Sequence, residues 1–300
     1  MQVHPRVCAV LAVCLAVLTA ASCGSSSGPA SAAANTAPAS PPSGTTSGSH
    51  PLRGIIVLGH SALTGENSDP QNPGQTAPQN SWAIGTNSAV DGIYQRLAAV
   101  DPSFLGHAVN AASGGAPAAT LVEQATDALR LEPNPRLVII DIIGTDIRCD
   151  GSDGSNYPVF GTQVKAALDL IATRAPHAKI LLVSWAARPL QVSKAIIGTP
   201  VVPMLSGSDM CSPFDPNLTL DKEHIRTFTG IIEGYESEQA RVCATVPECH
   251  TDNGRATHFH VRTSYYNYTD NWDFQHYNVT GLAALAKSMW PTVAHVLNLH

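Results

Sequence analysis

The sequence predicts an α/β domain of three layers, with helices on both faces of a mainly parallel sheet, over residues 51–300 of the 300-residue chain. Three observations lead there. Apolar runs alternate with amphipathic stretches along most of that segment, the pattern of strands and helices wound in turn. The runs are rich in Ile and Val, which suits strands covered on both faces. The segment is also long enough for one sizeable core and needs no second domain.

Taken in order, strands are expected at 54–58, 106–111, 137–143 and 180–183, where the apolar runs fall. Helices are expected at 89–99, 118–130, 163–173, 222–241 and 281–297, where apolar residues recur at helical spacing. The stretches 65–81 and 189–216 read as long surface loops. Loops of that length near a site usually shape a substrate pocket. Sites in open parallel sheets form at the carboxyl ends of the strands, and Ser61, Gly115 and Thr145 all fall just past such ends.

The amino-terminal part has a different character. Residues 1–22 carry one arginine, Arg6, and then an apolar stretch from Val7 to Ala21, too short for an ordinary spanning helix and placed as in a secretory signal. The signal ends at Ala20-Ala21-Ser22-Cys23, which resembles a bacterial lipoprotein cleavage box. In such a box the cysteine is lipidated and begins the mature protein. Ala20 stands where that box most often has leucine, and ordinary signal cleavage nearby is the alternative. Residues 23–50 are almost entirely Ser, Ala, Pro, Gly and Thr, with no charge. Such a stretch buries too little to offset its ordering entropy, so it is expected to be a flexible tether. The chain is therefore expected to be exported and either lipid-anchored at Cys23 to the cell membrane or free in the cell envelope or outside the cell.

Loss of Arg6 with the signal leaves one cation fewer than the 17 Lys plus Arg of the whole chain, against 23 Asp plus Glu. Net acidity without a basic run argues against a nucleic-acid partner. Three of the seven cysteines, Cys8, Cys14 and Cys23, lie in the signal region. The remaining four read as two disulfides in an exported chain. Cys243 and Cys249 enclose a short loop containing proline and are expected to pair, which leaves Cys149 with Cys211. No pair has the C-x-x-C spacing of a metal ribbon.

Chemistry concentrates in two distant segments. Gly59-His60-Ser61 closes the apolar run Ile55-Ile56-Val57-Leu58, and Asp273-Phe274-Gln275-His276 precedes the last helix. A serine hydroxyl needs an imidazole to take its proton and a third group to orient that imidazole. The Gly-x-Ser-x-Gly elbow of the α/β-hydrolases is absent, since Leu63 stands at the second glycine's place.

These segments resemble the SGNH, or GDSL-type, hydrolases, whose nucleophile follows the first strand and whose Asp and His share one Asp-x-x-His loop. The resemblance runs from Leu52 to the final helix and is best at the two ends. Gly59-His60-Ser61 stands where that family has Gly-Asp-Ser, and Asp273 and His276 match residue for residue. It implies a flavodoxin-like three-layer fold and a triad of Ser61, His276 and Asp273. The family's second block, whose glycine N–H helps bind the oxyanion, resembles the stretch from Gly114 to Leu121, and register assigns that donor to Gly115.

Two departures stand out. His60 replaces the family's aspartate beside the nucleophile, a position expected to bias local pKa values rather than to act on the serine proton. The third block, normally Gly-x-Asn-Asp, survives only as Ile143-Gly144-Thr145-Asp146. One register puts Thr145 at the oxyanion-binding asparagine. A threonine hydroxyl can donate there, whereas an ionised carboxylate would repel. The other register puts Asp146 there and needs a protonated carboxyl.

The resemblance implies hydrolysis of an ester, O-acyl or carbohydrate, through an acyl-enzyme on Ser61, with no metal or organic cofactor. The substrate would be a small-molecule or glycan ester. An acyltransferase using the same triad, or a non-catalytic envelope binding module, are the alternatives. A metal-dependent hydrolase built on His250, Asp252, His258 and His260 is a weaker rival. Trp82, Tyr266 and Trp272 are candidates for lining a pocket, though core packing is the commoner use of an aromatic. With no long apolar face beyond what the helices bury, a small acyl group is favoured over a lipid.

Overall fold

The structure, a computed structural model, describes residues 52–267 and 276–299. Five strands form one sheet: β1 Ile55–Gly59, β2 Ala108–Asn110, β3 Leu137–Asp141, β4 Lys179–Leu182 and β5 Cys249–Thr251. Their order across the sheet is β2-β1-β3-β4-β5 and every pairing is parallel. The chain therefore moves outward from β1 to β2, then returns across β1 to lay down β3. That reversal puts a switch point at the carboxyl ends of β1 and β3, where ligands bind in open α/β sheets.

The helices are α1 Ile93–Val100, α2 Leu121–Leu131, α3 Asp153–Arg174, α4 Pro189–Ile196, α5 Lys222–Cys243 and α6 Val279–Val296. Side chains alternate along each strand, so each face of the sheet builds its own core. Ile55, Val57, Leu137, Ile139 and Leu181 pack with Ile93 and Leu97 of α1 and Leu285 and Met289 of α6. Ile56, Leu58, Val138, Ile140 and Leu182 pack with Leu121 of α2, Phe160 and Val164 of α3, and Tyr235 of α5. All five residues of β1 are buried, as are all five of β3. This is the three-layer α/β/α arrangement that the alternating pattern predicts.

Several boundaries differ from the expected ones for local reasons. α3 begins at Asp153 rather than at 163, because the Asp153 carboxylate accepts the Arg148 and Cys149 amides (2.9 Å each) and starts the helix ahead of Gly154 and Pro158. β3 stops at Asp141, and a 3₁₀ turn over Gly144–Asp146 follows. The expected loop 189–216 contains α4, which opens on Pro189 at its first position. β5 is a three-residue strand, Cys-His-Thr, with no apolar run to announce it.

Both expected disulfides are present, Cys149–Cys211 and Cys243–Cys249, with Cα separations of 5.7 and 5.3 Å. Among the described residues no helix is long and apolar enough to cross a membrane. The signal, the tether, Cys23, Asp273 and Trp272 lie outside the described residues.

Candidate active site

β1 ends in a constrained turn. Gly59 has φ +138°, and a Cβ there would stand 1.8 Å from the Asp141 carbonyl oxygen, so only glycine fits between β1 and β3 at this level. The His60 amide then donates to that same carbonyl (3.0 Å), and Ser61 opens a 3₁₀ turn, Ser61–Leu63. Asn110, at the end of β2, donates to the Leu63 carbonyl (3.1 Å) and fixes the far side of the turn.

The imidazole arrives from the opposite end of the chain. Asn278 caps α6 by accepting the Gly281 amide (3.0 Å), while its own side-chain amide donates to the Ser264 and Tyr266 carbonyls. This anchored turn brings His276 onto the serine: Nε2 lies 2.6 Å from Ser61 Oγ. Residues separated by most of the chain thus share one hydrogen bond.

Ser61 and His276 open onto a cleft of about 630 Å³. Its lining mixes polar side chains, among them Glu66, Thr145, Arg148 and Asp209, with apolar ones such as Trp185, Val192, Met204 and Phe228. The Cys149–Cys211 disulfide lines the cleft and ties the segment after α4 to the loop after β3. The apolar lining comes from Trp185, α4, the segment after it, α5 and α6, which the sequence does not reveal as neighbours.

Thr145 lines the cleft and is exposed there. Gly115, with φ +70°, stands in an exposed turn and does not line it. Asp146 does not line it either, because its Oδ2 accepts the Ala118 amide (2.8 Å) and its backbone carbonyl accepts from Tyr235 and Asn156. Burial pushes the Asp146 carboxyl above the usual carboxylate range, against the Ala118 bond and the nearby His60 and Arg148. Its role in the fold is to join the turn after β3 to the start of the α2 segment.

Among the candidate aromatics, Trp82 is fully buried in the core and Tyr266 lines the cleft. Trp185, which the sequence does not single out, also lines it. The residues of the metal rival are dispersed. Asp252 is buried and accepts from Ser184, Gly254 and Ala256, His250 lies on β5, and His258 and His260 sit in a surface groove beside Arg255, Arg262 and Lys287. Among the described residues no three His, Cys, Asp or Glu side chains converge to hold a metal.

Sheet order, switch-point serine and incoming histidine define an α/β fold of the SGNH-hydrolase type. The fold is similar to that of an extracellular lipase from Streptomyces rimosus, at 15% identity over 81% of this chain and 98% of that one, with a TM-score of 0.50. Lower likenesses are to the acetyl xylan esterase AlAXEase (14% identity, 81% of this chain and 100% of that one, TM-score 0.47) and to phospholipase A1 from Streptomyces albidoflavus NA297 (14%, 82% and 98%, 0.47). No protein-family model and no curated protein matches the chain.

Proposed function

We propose that the protein is an exported serine esterase that cleaves an ester through an acyl-enzyme on Ser61. The observation that carries the reading is the 2.6 Å contact between Ser61 Oγ and His276 Nε2 at the carboxyl end of β1. A neutral imidazole there can take the hydroxyl proton as Oγ attacks an ester carbonyl, and return it to the leaving alcohol. Asp273 is assigned to orient the ring. The developing oxyanion is assigned to the Ser61 amide and the Thr145 hydroxyl, donors that cost no reorganisation if held in place. Water then releases the acyl group.

The apolar side chains lining the cleft support an aliphatic acyl chain of some length as the group transferred. The signal, the tether 23–50 and lipidation at Cys23 complete the reading as an envelope-attached domain, and the disulfides fit an oxidising compartment.

The test is hydrolysis of p-nitrophenyl esters by wild type and Ser61→Ala, with mass spectrometry after a serine-directed phosphonate. Turnover and labelling should both vanish in the variant. Activity should also fall in mild acid as His276 takes up a proton, and a rate that stays flat into strong acid contradicts the mechanism. A folded wild type that neither turns over nor labels would sink the esterase reading in favour of a binding module.

A further inference from the structure

The Ser61 hydroxyl faces a second imidazole. His60 Nδ1 lies 3.4 Å from Ser61 Oγ, and the other ring nitrogen, Nε2, lies 3.4 Å from Asp141 Oδ1. Both side chains are nearly closed to water, at 13% and 9% exposure. Sheet register creates the pairing: Gly59 stands opposite Asp141 in the parallel β1–β3 ladder, so the last residue of β3 comes level with the turn that carries His60.

The hydrogen bonds fix the tautomer. The Ala62 amide donates to Nδ1 (3.3 Å), so Nδ1 carries the lone pair and Nε2 carries the proton that faces Asp141. His60 is the partner of the Asp141 carboxylate among the described residues. A buried carboxylate requires such a partner, so the two groups hold each other in place. Gly144 closes over the ring, where an added Cβ would meet His60 Cε1 and Nε2 at 3.2 Å. Ser61, His60 and Asp141 therefore stand in the nucleophile, base and orienter sequence that activates a hydroxyl.

Resting on the reading of Ser61 as nucleophile, we propose that His60, backed by Asp141, is a second general base for the same hydroxyl. As Oγ bonds to the carbonyl carbon, its O–H breaks, the proton moves to His60 Nδ1, whose lone pair gives up the Ala62 amide for it, and the carbonyl π pair moves to oxygen. Collapse breaks the bond to the leaving alkoxide, which takes that proton from Nδ1. The transient imidazolium lies against the Asp141 carboxylate. The distances rank the two bases, with His276 at 2.6 Å ahead of His60 at 3.4 Å, a gap that substrate binding can narrow. Besides Asp141, Asp146 from the turn after β3 acts on the ring electrostatically, and His276, Glu66 and Arg148 border the same cleft.

His60 also caps the 3₁₀ turn through the Ala62 bond, a structural role that the test must separate from the chemical one. Asparagine keeps a cap but supplies no base. The rate of phosphonate labelling at Ser61 is measured from mild acid to mild alkali in the mature chain for wild type, His276→Ala, and His276→Ala combined with either His60→Asn or Asp141→Asn. His276→Ala should keep a slow, pH-dependent labelling. Either added substitution should remove about tenfold or more of that residue and flatten its pH profile. Equal rates and equal profiles in the single and both double variants, all unfolding cooperatively, overturn the second base while leaving the esterase reading intact. Failure of wild type itself to label at Ser61 overturns both.

Discussion

One side chain, that of Gln124, holds both backbone groups of Gly59: its Oε1 accepts the Gly59 N–H at 2.7 Å and its Nε2 donates to the Gly59 carbonyl at 3.0 Å. Gln124 is a buried amide on α2, and Gly59 sits two residues before Ser61. β1 ends here, so a helix side chain reaches across to the N–H, while the carbonyl also accepts the Ser113 amide (3.1 Å). Gln124→Leu fills similar space but strands the N–H. It should cost about 1–3 kcal/mol by urea unfolding. Ester turnover should fall further than stability accounts for, since the serine turn loses its anchor. Unchanged turnover in the folded variant would mean that the turn is held elsewhere.

The sequence exposed the two halves of the site unevenly. Ser61 and His276 were legible because each sits in a short local motif, and the core strands because Ile55–Gly59 and Leu137–Asp141 are continuous apolar runs. Asp141 was hidden for the same reason, as the final residue of such a run. Only the register opposite Gly59 shows that it meets His60. Gly115 could be placed by motif alone, and it stands in an exposed turn. The apolar wall depends on α4, whose eight residues between a proline and a glycine-containing turn read as loop.

The two disulfides should contribute unequally. Chain-entropy arguments scale with the loop closed, and the sequence separations are 62 for Cys149–Cys211 and 6 for Cys243–Cys249. Replacing both cysteines of the first pair by serine should cost about 4 kcal/mol, and of the second about 2 kcal/mol. Only the first pair lines the cleft, so only its loss should also raise KM for an ester. Unfolding curves with and without reductant, beside the kinetics of each double-serine variant, check both statements. A KM effect confined to the second pair would contradict the assignment of the cleft wall.

Asp252 makes a pH prediction of definite sign. Burial pushes its carboxyl above the usual range, outweighing the donations from Ala256 and Ser184. The folded chain therefore holds this proton more tightly than the unfolded chain does. The resulting stabilisation is complete below the unfolded value, about pH 4, and is lost as pH rises through the folded one. Asp252→Asn cannot titrate, so its stability relative to wild type should improve steadily from acid toward neutrality. Urea unfolding across that range reads the difference directly. A relative stability that instead worsens toward neutral pH would show that the donors win and the ionised form is the one the fold prefers.

The apolar wall makes the substrate preference measurable. Val192, Ile196, Met204 and Leu285 border the same cleft as Ser61, so an acyl chain attached there has apolar side chains to lie against. Each buried methylene is worth about 0.8 kcal/mol, or roughly fourfold in kcat/KM if the chain stays bound in the transition state. Across p-nitrophenyl acetate, butyrate, hexanoate and octanoate, kcat/KM should therefore climb until the cleft is filled. Val192→Trp should cut the longer esters while sparing the acetate, because Val192 is only partly buried at the cleft and the added ring occupies volume that only long chains use. A series that falls from acetate onward in wild type, with Val192→Trp indifferent to chain length, would assign the apolar wall to the alcohol half of the substrate instead.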